Sequence, residues 1–155
     1  MILSTDDLDF MTSHFRPPAS SPLRRAWLGR TTAVCERGVV EAKALIARSR
    51  LATQADLLAY ATDAIALAEK QRRELASVSA GPEDKRAVRG LLARFRHAIA
   101  ADRAVVTRLK RRWSKAELGR FLRDDFRYSI ALKADALELG SRACARYFDP
   151  TTYVR

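Results

Sequence analysis

The chain has 155 residues, 48% of them hydrophobic, with 29 Lys and Arg against 18 Asp and Glu for a net charge of +11. That size and apolar content fit one domain with a real core and exclude an array of domains. The start, Met1-Ile2-Leu3-Ser4, runs into acids rather than a basic region and a long apolar run, so neither a signal peptide nor a membrane span is expected.

Residues 4–15 read as a short acidic helix with Leu8, Met11 and Phe15 at helical spacing, tethered by the proline-containing loop 16–20. Two roles fit it. It folds back on the basic body of its own chain, or it docks into another protein by laying an apolar face in a groove.

Four long helical stretches follow. The first opens at Ser21-Pro22, a capping serine followed by a proline at the position that needs no N–H partner, and runs to about Arg50. The second opens at Thr53 with Asp56 three residues on, a variant capping box, and carries Leu57, Leu58, Ala61, Ala64, Ile65 and Ala68 before ending near Ser79. Gly81-Pro82 breaks the chain. The third stretch begins at Pro82 with Glu83 and Asp84 in its first turn and ends at Lys110-Arg111-Arg112, the charge order that the helix dipole favours. Leu92, Ile99, Val106 and Trp113 recur at heptad spacing along it, beside Leu91, Ala98 and Val105. The fourth begins at Ser114 with Glu117 as the other half of a capping box, and is expected to continue through Leu118, Leu122, Leu132, Leu139 and Ala143 to about Phe148.

Turns this short make neighbouring helices antiparallel, and helices of about 30 residues are rods of roughly 45 Å. The expected fold is therefore all-α, an up-down-up-down antiparallel four-helix bundle over residues 21–149, preceded by the acidic segment and linker 1–20 and followed by a tail, 150–155. The alternative is a helical hairpin that completes its core as a homodimer. No β-pattern and no internal repeat competes. In the bundle, Cys35 and Cys144 stand roughly 20 Å apart by helical rise, too far to pair within one chain. Two unpaired thiols point to a reducing cytoplasm, with an intermolecular bridge as the other outlet.

Charge is the first pointer to function. The expected topology gathers Arg48, Arg50, Arg108, Lys110, Arg111, Arg112, Lys115 and Arg120 at one end, against Asp56 and Glu117 only. The opposite end is also basic but richer in acids. Arginine-rich ends suit bidentate contact with phosphates, and Trp113 beside the denser one offers a stacking surface, although its place in the heptad stripe makes it a core residue first. Cations at helix C-termini are also what the dipole alone selects. No helix-turn-helix, zinc finger or aromatic β-platform is recognisable, so base-specific readout is not expected.

Carboxylates interrupt two of the apolar stripes at matching heights. Asp102 falls in the series Val88, Phe95, Asp102, Leu109, and Asp125 in Leu118, Asp125, Leu132, Leu139. Glu41, which follows Trp27 and Val34 at the same spacing, completes a candidate buried polar layer of Glu41, Asp102 and Asp125. Such a layer can share a proton or hold a metal. The Glu-x-x-His pairs of bundle di-metal centres are missing, so the expected form is an internal ion pair with Arg37, Arg103 or Arg127, and no metal or cofactor is assigned.

No glycine-rich phosphate loop, Cys-x-x-Cys motif or nucleophile-histidine-acid arrangement appears, so enzyme activity is not expected. Two functions remain. The first is a non-catalytic accessory protein whose basic ends contact nucleic acid or another polyanion. The second is an adaptor, inhibitor or chaperone of an acidic protein partner, acting through the amino-terminal segment or a groove of the bundle. Membrane-surface binding is disfavoured because no long helix pairs a basic face with an aromatic insertion face.

Overall fold

A computed structural model describes residues 21–154, and among them the chain is all-helical without strands. The elements are α1 (Pro22–Arg48), α2 (Gln54–Ala76), α3 (Lys85–Arg111), α4 (Lys115–Glu138), α5 (Arg142–Phe148) and a closing 3-10 turn (Pro150–Tyr153). No helix among the described residues is long and apolar enough to cross a membrane. The amino-terminal candidates Leu8, Met11 and Phe15 lie outside the described residues.

The helix starts follow the side chains available to satisfy free N–H groups. Ser21 Oγ accepts from the Arg24 N–H at 3.1 Å with Pro22 at the first helical position. Thr53 and Asp56 form the reciprocal capping box, both bonds at 3.1 Å. The third helix begins at Lys85 rather than at Pro82. Asp84 is its N-cap but does not cap with its side chain. Its buried carboxylate is taken by Arg24, which donates Nε–H at 2.9 Å and a second N–H at 2.5 Å.

The largest departure from expectation is in the fourth helical stretch, which breaks at residues 139–141 instead of running on to Phe148. Gly140 has φ of 80°. Its N–H donates to Leu137 O and the Ser141 N–H to Ala136 O, both at 2.9 Å, the bond pair of a Schellman ending. Ser141 then caps the next helix by accepting from the Cys144 N–H at 3.3 Å. Only glycine reaches that backbone region without strain, so Gly140 marks a helix end rather than an interior position.

This break corrects the cysteine reading. With α5 folded back over α1, Cys35 and Cys144 form a disulfide with Cα atoms 5.0 Å apart, and both residues are buried. The rise of one straight helix had put them too far apart. Neither cysteine among the described residues is free, so unpaired thiols give no support for a cytoplasmic location.

Five helices, not four, pack around the interior. α1 packs on α2, α2 on α3, α3 on α4, α4 on α5, and α5 returns to α1. α3 and α4 run antiparallel, as Arg108 pairs with Glu117 next to their loop at 2.5 Å and Arg94 with Asp135 farther along at 2.7 Å. α1 and α2 approach closely at Gly38, where an added Cβ would stand 2.7 Å from the Gln71 amide. Buried Gln71 in turn donates to Val34 O at 3.1 Å. The packed core lies toward α5, built from Trp27, Val34, Cys35, Leu75, Leu91, Phe95, Leu132, Leu139 and Phe148. There Phe95 meets Tyr147 and Phe148 edge-on, with centroids 6.3 and 5.1 Å away.

Candidate functional site

The other half of the interior is hollow, and the sequence explains why. α5 has seven residues and spans only about 10 Å, so it fills the ring of helices at one level and not beyond. Past its end the inner faces of α1 and α2 carry Ala42, Ala61, Ala64 and Ala68, which are too small to meet the opposing helices. α2 accordingly buries only Gln71 and Leu75 completely, and α4 only Leu132 and Ala136. The space left is a cavity of about 460 Å³ bounded by all five helices and the terminal turn.

Its walls are apolar except for a few groups. Ile46, Leu57, Leu58, Ile99, Val106, Leu109, Leu118 and Phe121 line it, together with Trp113, which stands in the loop just past α3. All four tyrosines of the chain face it: Tyr60, Tyr128, Tyr147 and Tyr153. The terminal turn is positioned by the Tyr153 hydroxyl, which donates to Tyr147 O at 2.7 Å, and by Asp149. The Asp149 carboxylate accepts from Lys133 at 2.6 Å and from the Thr151 N–H at 2.9 Å, which hold it down at about 2.

Asp102 and Asp125 meet in this cavity. Their carboxyls are within hydrogen-bonding reach of each other, and neither has an ion pair among the described residues. Burial raises both, and the neighbouring Asp125 charge helps push Asp102 up to about 8. Both carboxyls are therefore held toward their protonated forms, and a proton shared between them relieves the repulsion of two buried charges. The expected arginine partners are elsewhere: Arg37 reaches Glu74 at 3.4 Å, while Arg103 and Arg127 are exposed. Glu41 does not join the pair. It lies half-exposed on the outside of α1, 2.7 Å from Lys70. A proton shared between two carboxyls is the solution a low-dielectric cavity imposes when no cation is at hand.

The eight cations of the expected basic end are all exposed. Arg108 and Arg120 are tied to Glu117, at 2.5 and 3.6 Å. Arg48, Arg50, Lys110, Arg111, Arg112 and Lys115 have no ion pair among the described residues. They flank loops 49–53 and 112–114, next to Ile46, Leu57, Leu109 and Leu118 of the cavity wall.

Sequence reasoning placed the two aspartates level but missed the tyrosines. Tyr60 was legible, since it belongs to the same helical face as Leu57, Ala61 and Ala64. Tyr147 and Tyr153 were not, because their positions depend on the break at Gly140. The chain matches no protein-family model, no curated protein and no solved structure.

Proposed function

We propose that this is a non-catalytic binding protein that encloses a small, mostly apolar molecule within its ring of helices. The observation that carries the reading is the 460 Å³ cavity, within the range of small-molecule sites, apolar in most of its lining and furnished with one convergent polar pair. The test is calorimetric titration with decanol, an apolar probe with one hydroxyl. Saturable 1:1 binding is expected, and Ala64→Phe, which puts a ring into the cavity, is expected to weaken it at least tenfold. A parent protein that shows no saturable binding would refute the reading.

A second reading rests on the cations of the expected basic end that carry no ion pair among the described residues: a polyanion, such as nucleic acid, is held by its phosphates without sequence readout. Its test is fluorescence anisotropy with labelled single-stranded DNA across a salt series. Changing Lys110, Arg111, Arg112 and Lys115 together to Gln is expected to flatten the dependence of log K on log salt by about 0.7 per lost contact. Equal slopes for parent and variant would remove this end as the site.

A further inference from the structure

We propose that the ligand of the cavity is a lipophilic monocation, an apolar body bearing one quaternary or protonated ammonium group that seats against Asp102 and Asp125 among the tyrosine rings. The inference rests on the cavity reading above and names the chemistry of its occupant.

Three observations converge on it. The first is charge placement. In a chain with 29 Lys and Arg, the only charged side chains among the described residues that line the cavity are two carboxyls. Carboxyls walled by hydrocarbon favour a cationic head over a neutral one, and disfavour an anion. The second is the aromatic surround. Tyr60, Tyr128, Tyr147 and Tyr153 line the same cavity as the two carboxyls, and the Tyr153 hydroxyl donates to Tyr147 O at 2.7 Å. Aromatic rings that share a cavity with a carboxyl pair are the chemistry that holds ammonium groups by cation–π attraction. The third separates an organic cation from a metal ion. Among the described residues no three potential metal-ligating side chains gather, and the remaining walls are apolar.

The cavity adds a pH signature. A cation beside the pair favours loss of its shared proton, which the free protein holds up to about 8. A permanently charged ligand therefore binds more tightly as pH rises toward 8, by up to about tenfold per unit for one released proton. The other titratable groups facing the pair are Tyr60 from α2, Tyr128 from α4, Tyr147 from α5 and Tyr153 from the terminal turn, while α1 contributes only Ala42 and Ile46 to the wall. Burial pushes Tyr60, Tyr147 and Tyr153 upward, so they stay neutral through this range.

The experiment is calorimetry of the full chain with decyltrimethylammonium, decanol and decanoate, each below its micelle-forming concentration, at pH 6, 7 and 8. The cation is expected to bind at least tenfold tighter than decanol at pH 7, decanoate more weakly than decanol, and the cation's advantage to grow with pH. Asp102→Asn combined with Asp125→Asn keeps the side-chain shapes and is expected to bring the cation-to-decanol ratio close to one. Decanol binding as tightly as the cation overturns this inference and leaves the cavity reading intact. No binding by any of the three overturns both. The comparison of ligands on the parent protein decides the matter even where the double variant folds poorly.

Discussion

Replacing Cys35 and Cys144 together by Ala is expected to cost about 3–5 kcal/mol of stability, the range for a bond that closes a loop of about 100 residues. The cysteines are 109 positions apart, so the bond constrains most of the described chain. At roughly 2–4 °C per kcal/mol for a domain of this size, the midpoint of thermal unfolding should fall by about 6–20 °C. The loss is also local. The bond anchors α5 to α1, and α5 carries Tyr147 and Phe148 into the cavity wall, so decanol binding should weaken with stability. Thermal unfolding with and without reductant measures the effect. Because both sulfurs are buried, reduction requires local opening and should be slow in the native protein. A midpoint that ignores both reductant and substitution would show that the bond does not form in solution.

The same seven-residue helix explains how far the sequence could be read. Capping residues and apolar spacing are local signals, and they located Ser21-Pro22, the Thr53 and Asp56 box and the loop at residues 112–114. The heptad counts that put Asp102 and Asp125 level also held, because α3 and α4 are continuous and antiparallel from their shared loop. What failed was the extrapolation past Leu139. An apolar pattern that persists through Ala143 and Phe148 looks like one helix, yet Gly140 followed by Ser141 is a stop signal and a start signal in adjacent positions. Running one helix on to Phe148 removed the fold-back, and with it the disulfide, the position of the tyrosines and the reason for the cavity. Helix three began late for a different reason. Asp84 has the right chemistry for a cap, but a long-range partner, Arg24, claims its carboxylate.

That pair supports the second large prediction. Arg24 and Asp84 are unequally buried, with 22% of the arginine side chain exposed but only 3% of the aspartate. Removing either partner breaks the same two hydrogen bonds, but it leaves different groups behind. Arg24→Ala strands a carboxylate that water hardly reaches, and an uncompensated buried charge costs about 3–5 kcal/mol. Asp84→Ala leaves a guanidinium that can turn outward, near Glu83, and should cost about 1–3 kcal/mol, the penalty for a lost polar partner. The double variant should be less destabilised than the sum of the two, because neither charge is stranded. Denaturant unfolding of the three variants gives this cycle directly. If Arg24→Ala is no worse than Asp84→Ala, the buried carboxylate is satisfied by another group, and the bidentate contact is not what fastens the start of α1 to the α2–α3 loop. If the order holds, this ion pair clamps the end of the α1 and α2 hairpin remote from loop 49–53, so that the packed half of the ring is held shut by charge and disulfide together. The hollow half has no disulfide, and there α3 and α4 are tied beside their loop by the pair of Arg108 with Glu117.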